Sequence, residues 1–136
     1  MNSALTFTGS PYTSFMHETK VTLSNGIELH VEIGGQPEHP VIMLIMGLGA
    51  QLLFWPDFFC KSLIDQGYRV IRFDNRDIGL SSKIRHSGPR LNTFKLMGRF
   101  ALGLENQGAP YNLYDMAEDA ALLIDHLELD NVSVLG

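Results

Sequence analysis

Six apolar residues, Val41-Ile42-Met43-Leu44-Ile45-Met46, stand between Pro40 and Gly47 with no polar residue among them. A strand with one wet face alternates apolar and polar side chains. A short unbroken run instead marks a strand covered on both faces, as in a parallel sheet. Covering both faces takes helices on both, so this one segment directs the chain to an α/β architecture. The residues that follow agree. A helix is predicted over residues 56–66, with Pro56 in its first turn and Gly67 just past its end. A second strand is predicted over residues 68–73 and ends at Asp74. Strand, helix and strand at this spacing form a βαβ unit.

Upstream, residues 20–23 and 27–33 flank Ser24-Asn25-Gly26, a β-hairpin signal with Asn25 and Gly26 as the residues that tolerate a positive φ. The second run alternates strictly, which points His30 outward. Residues 1–16 are polar and mixed and read as a lead-in, leaving 17–136 as the domain. Downstream, residues 75–110 read as a long connection with one or two helical turns between Leu91 and Leu102. A helix then opens on Asn112 as N-cap with Asp115 at N3. Leu113, Met116, Ala117, Ala120, Ala121, Ile124 and Leu127 form its apolar face, with Glu118, Asp119 and Asp125 elsewhere on the wheel. Residues 131–136 begin another strand. The sheet is antiparallel at its start and parallel after, and it lacks a helix following the last strand.

Composition excludes several classes. Hydrophobic residues make up 45 % of the 136 and charged residues 18 %, a globular balance. A net charge of −5 argues against a nucleic-acid partner, which needs clustered Lys and Arg. The longest apolar run is too short to cross a bilayer, and the N-terminus has no signal-peptide pattern. A single cysteine, Cys60, makes no intramolecular disulfide and fits a reducing, cytoplasmic setting. It falls inside the first helix and reads as a packed thiol. No C-x-x-C or H-x-x-E-H spacing suggests a metal, and no cofactor is expected.

Three segments carry chemistry. Met46-Gly47-Leu48-Gly49-Ala50-Gln51 follows the buried strand. Its glycines allow a sharp turn that presents free backbone N–H groups, fit for a developing oxyanion or for nothing more than a turn. A dinucleotide loop is disfavoured, since Leu52 stands where the third glycine of G-x-G-x-x-G belongs. Asp74-Asn75-Arg76-Asp77-Ile78-Gly79-Leu80-Ser81 follows the next strand. Asp74 reads as catalytic or, more simply, as an ion-pair partner of Arg76 that ties the loop down, with Gly79 allowing a turn. Val132-Ser133-Val134-Leu135-Gly136 is how a nucleophile elbow, G-x-S-x-G, begins. Gly79-Leu80-Ser81-Ser82-Lys83 imitates that elbow but ends in Lys83. Of the five histidines, His17, His30, His39, His86 and His126, only His86 in the long connection draws notice as a base.

In this order and at the ends of successive strands, these segments make the chain similar to the N-terminal half of the α/β-hydrolase superfamily, over residues from about 17 to 136. Met46-Gly47-Leu48-Gly49 stands where the family has a His-Gly-x-Pro-like loop. Residues 74–81 match its Asp-x-Arg-Gly-x-Gly-x-Ser loop. Tyr111-Asn112-Leu113-Tyr114-Asp115-Met116-Ala117 resembles the opening of the helix before the elbow, and Trp55 falls where many members carry a Trp. Met46, Gly49 and Asp77 depart from the usual His, Pro and Gly. Polyketide methylesterase-like esterases tolerate an Asp in that loop and are the subgroup suggested.

The resemblance implies an α/β-hydrolase fold reaching the strand before the elbow, and a serine hydrolase acting on a small carboxylic ester. It makes the Leu48 N–H one of two oxyanion-hole donors, and Gly47, Leu48 and Trp55 substrate-side residues. Phe54, Phe94, Met97 and Phe100 either line an acyl pocket or simply pack. The nucleophile is expected two positions past Gly136, with the acid and the His base further on. The chain alone is then inactive, its partner being the C-terminal half. A haloalkane dehalogenase or epoxide hydrolase of the same fold, with an Asp nucleophile, and a non-catalytic binding module are the alternatives.

Overall fold

A computed structural model describes residues 15–84, 98, 102–103 and 111–136. Its strands are β1 (Met16–Thr22), β2 (Glu28–Gly34), β3 (Val41–Leu44), β4 (Arg69–Phe73) and β5 (Val132–Leu135). Its α-helices are α1 (Asp57–Asp65) and α2 (Leu113–His126), and a 3-10 turn spans Leu52–Phe54. The sheet order is β1-β2-β4-β3-β5. β2 is antiparallel to β1 and β4, while β3 runs parallel to β4 and β5.

Both faces are covered, as the unbroken run in β3 requires. Val41 and Met43 join Leu29, Val31, Ile71, Phe73 and the α2 residues Ala120 and Leu123 in one core layer. Leu44 and Val70 face the other way and pack with Met16, Cys60 and, at the margins, Trp55 and Phe59. The strand is shorter than its apolar run: it ends at Leu44, and the Ile45 N–H continues the bonding to Leu135 O at 2.8 Å. Val134 and Leu135 of β5 are exposed.

The local rules act largely as read. Gly26 takes φ +85° in the hairpin turn, but Asn25 does not have a positive φ; its side chain instead accepts the Ile27 N–H at 3.1 Å. Pro56 is the N-cap of α1 rather than its first residue, and Gly67 has φ +89° just past the helix. Asn112 Oδ1 accepts from Tyr114 N at 2.8 Å and Asp115 N at 3.1 Å. Asp115 Oδ2 accepts from Asn112 N at 2.6 Å, completing the reciprocal cap of α2.

Two expectations are corrected, and a third falls largely outside the described residues. His30 does not face solvent: it is buried, because the polar face of β2 is itself covered and its polar residues pair with neighbours. Leu113, Ala117 and Ala121 of α2 are exposed, and Asp119, set off the apolar face of the wheel, is fully buried. A buried carboxylate needs a cation or donors, and Asp119 has both. The helix expected between residues 91 and 102, and His86, Phe94, Met97 and Phe100, lie outside the described residues, Gly98 and Leu102 excepted; both are exposed, Gly98 is helical, and the Leu102 N–H reaches Gly98 O at 3.2 Å. Among the described residues no helix is long and apolar enough to cross a membrane.

Candidate functional site

The ends of β3 and β4 lie side by side, so the loops that leave them meet. Asp74 is the first residue past β4. Its N–H donates to His30 O at 3.0 Å, extending the ladder with β2 by one bond. Its buried carboxylate accepts from Leu52 N at 2.8 Å and Leu80 N at 3.1 Å and lies 3.0 Å from His30 Nδ1. The other ring nitrogen, His30 Nε2, lies 2.8 Å from Glu18 Oε1 on β1. Gly79 has φ +49°, and a Cβ there would fall 2.1 Å from Asp74 Oδ2. Only glycine lets the loop fold back this closely.

The expected Asp74–Arg76 pair is not formed. Asp74 is saturated by backbone donors and His30, and Arg76 points to α2. There Arg76 Nε and Nη2 grip Asp119 Oδ2 and Oδ1, each at 2.7 Å, in a two-pronged charge-assisted pair. The guanidinium also lies over the Tyr111 ring, 5.3 Å from its centroid. Asn25 Nδ2 adds a third bond to Asp119 Oδ1 at 2.9 Å. Arg76 thus fastens the β4 loop to a helical residue 43 positions away in sequence.

Asp77 has φ +65°, a left-handed backbone normally left to glycine. Its side chain offsets that strain: Oδ1 accepts the Ile84 N–H, and the carboxylate hydrogen-bonds the Tyr111 hydroxyl. Burial, and then Asp77, push the Tyr111 phenol well above its ordinary range. The departure from Gly at this position therefore has a local physical reason.

Ser81 is buried and fully occupied. Its Oγ donates to Asp74 O at 2.6 Å and accepts the His30 N–H at 2.9 Å. The His30 ring faces Asp74 and Glu18, so Ser81 and His30 form no nucleophile–base pair. His17 and His126 are exposed, and His39 sits by the opposite, N-terminal end of β3. Among the described residues no three His, Cys, Asp or Glu side chains converge to hold a metal.

The loop after β3 holds the expected oxyanion residue. Leu48 is exposed at its tip, and its N–H makes no hydrogen bond among the described residues. Gly49 has φ +78°, and Ala50 N reaches back to Gly47 O at 3.3 Å. Trp55 stacks on Phe59 at 5.7 Å between ring centroids and packs against the apolar layer under α1; Phe54 is exposed. Cys60 is buried, and that burial pushes its thiol above the ordinary value, the Arg72 charge opposing. An open depression of about 340 Å³ lies beside the loops, bordered by Glu18, His30, Gln51, Leu53, Asp74 and Leu80.

Two polar residues were overlooked in the sequence. Arg72 is buried in β4, 2.6 Å from Glu32 and 2.8 Å from Asp57, and also donates to Trp55 O. It anchors the start of α1 to the sheet. Glu32 and Arg72 are cross-strand neighbours, and a charge alternating with apolar residues in two adjacent strands was the available signal. Asn75 is buried and donates from Nδ2 to Met46 O at 3.0 Å. Its lone position between Asp74 and Arg76 gave no sign of this.

The five-stranded order, with α1 and α2 on opposite faces and loops converging past β3 and β4, is the N-terminal portion of an α/β-hydrolase fold. No family model matches the chain. Rhodomycin D methylesterase DnrP of Streptomyces peucetius is 29 % identical to it over 118 residues, which cover 87 % of this chain and 33 % of that protein. AB hydrolase superfamily protein YfhM of Bacillus subtilis (strain 168) is 42 % identical over 60 residues, 44 % of this chain and 21 % of that one. The solved structure of a hydrolase from Pseudomonas aeruginosa PA01 superimposes with a TM-score of 0.64 at 26 % identity, covering 88 % of this chain and 36 % of that one. An epoxide hydrolase from Vigna radiata and an esterase from Exiguobacterium antarcticum, at 21 % and 23 % identity, share the fold. Sequence relatives and structural neighbours all point to the α/β-hydrolase superfamily. The chain spans about a third of the length of the methylesterase it matches.

Proposed function

We propose that this chain is the N-terminal part of a serine hydrolase acting on carboxylic esters, and that its own chemical contribution is the Leu48 backbone N–H. The observation that carries the reading is that N–H, which makes no hydrogen bond among the described residues and lies just past the end of a parallel strand, on a loop held by buried polar residues. In acyl transfer the carbonyl oxygen gains charge as the tetrahedral intermediate forms. A donor fixed about 2.7–3.1 Å from that oxygen stabilises it without reorganising. The similarity to a methylesterase supports an ester as substrate. On this reading the nucleophile, the His base, the acid and the second oxyanion donor come from the C-terminal half of the hydrolase. An Asp nucleophile acting on an epoxide is the second reading, favoured by the epoxide hydrolases that share the fold.

The test offers the intact protein a methyl ester, a chromogenic short-chain ester and a styrene-type epoxide, together with a fluorophosphonate that labels activated serines. Ester turnover with one labelled serine outside residues 1–136 is expected. Epoxide opening without ester turnover, or a labelled serine inside this chain, would overturn the proposal.

A further inference from the structure

We infer that Asp74 and Asn75 are positioning residues, which grip both ends of the loop over residues 46–52 and thereby set where the Leu48 N–H points. The inference rests on the oxyanion role just proposed for Leu48 and names the residues that determine it.

The loop has little to fix it from within. Gly47 and Gly49 bring no side chain, and glycine has the most backbone freedom to lose. Its internal bond is the 3.3 Å contact from Ala50 N to Gly47 O. The buried Leu52 side chain and the turn that follows it seat its far end, and the neighbouring loop grips its backbone at two points. At the entrance, Asn75 Nδ2 donates to Met46 O at 3.0 Å. At the exit, Asp74 Oδ1 accepts from Leu52 N at 2.8 Å. Leu48 lies between these points.

The residue types fit the groups they hold. The entrance offers a carbonyl, which needs a donor, and Asn supplies one. The exit offers an N–H, which needs an acceptor, and Asp supplies the stronger, charged kind. Both clamps are buried, at 3 % exposure each, so water competes little for either bond. They are consecutive, so one anchoring of their backbone serves both. That anchoring is the bond from Asp74 N to His30 O, reinforced by the carboxylate's contacts with His30 and Leu80. Both side chains are spent on the backbone of that loop, and both act through it. A donor displaced by about 1 Å costs on the order of a hundredfold in rate, so a partly released loop should lose about tenfold or more in kcat.

The test compares wild type with Asn75→Asp, Asn75→Ala and Asp74→Asn in the intact protein, using a chromogenic ester and backbone amide hydrogen exchange over residues 46–52. Asn75→Asp removes the donor and sets an acceptor against the Met46 carbonyl. It should lower kcat about tenfold or more while KM moves less than about threefold, and should raise exchange at Leu52. Asn75→Ala should follow it, with thermal stability closer to wild type. Asp74→Asn keeps an acceptor and should lose less. Wild-type kcat in both Asn75 variants, or kcat falling only in step with the fraction folded, would overturn the inference. If wild type shows no ester turnover, the oxyanion reading fails, and with it the functional half of the inference. Unchanged exchange over residues 46–52 in both Asn75 variants would separately refute the clamp.

Discussion

Replacing Gly79 with alanine should be among the most damaging single-methyl changes in this chain. Two costs can be worked from the geometry. At φ +49° an alanine pays the left-handed penalty, about 1–2 kcal/mol. Its Cβ would also stand 2.1 Å from Asp74 Oδ2 and 2.5 Å from Asp74 Cγ, well inside contact distance. The carboxylate must withdraw, and it then forfeits bonds from Leu80 N, Leu52 N or His30. Hydrogen bonds to a charged group contribute about 1.5–3 kcal/mol each. Losing one of them together with the backbone strain gives about 2.5–5 kcal/mol, a large share of the roughly 5–15 kcal/mol that holds a domain folded. Urea denaturation of the intact protein should show a lower midpoint with an unchanged slope. A sharper check puts Gly79→Ala into an Asp74→Ala background, where the obstructing carboxylate is gone and only about 1–2 kcal/mol of strain should remain. A cost below about 1 kcal/mol in the wild-type background, or the same cost with and without Asp74, would refute the reasoning.

Asp119→Ala leaves the Arg76 guanidinium without its two 2.7 Å bonds and should destabilise by about 3–5 kcal/mol in thermal or urea unfolding, with Asp119→Ala/Arg76→Met recovering part of the loss. Stability should also fall at alkaline pH. The Cys60 thiol and the Tyr111 phenol both have folded pKa values raised above their ordinary 9.0 and 10.0, so the folded chain binds these protons more tightly than the unfolded one. Their contribution is fully present below those ordinary values and is lost as pH rises through the raised folded ones. Melting temperatures taken from about pH 8 to about pH 11 should drop, and less steeply in Cys60→Ala/Tyr111→Phe. The same burial predicts that iodoacetamide modifies Cys60 only as the protein unfolds.

The elements legible in the sequence are those set by neighbours along the chain. The apolar run at Val41 implied a strand covered on both faces, and both faces are covered. Asn112 with Asp115, and Gly67 past α1, set helix ends through bonds and backbone angles spanning three or four residues. The order of loops at the strand ends was enough for the family resemblance. Less legible were the polar residues inside. Alternation in β2 put His30 in water, because alternation reports which residues share a face and says nothing about what covers that face. Helical periodicity left Asp119 off the apolar face, because a hydrophobic wheel counts a carboxylate as polar whether or not a distant arginine waits for it.

Local periodicity, turn chemistry and capping by themselves determined the α/β order of this protein and the presence of glycine-bearing loops at the ends of β3 and β4. Only the tertiary structure decided the partners: Asp74 with Leu52 and His30, Arg76 with Asp119, Asn75 with Met46. Each of those pairs spans more than twenty residues of chain. A buried hydrogen bond is strong only where folding has removed the water that would otherwise compete for both ends.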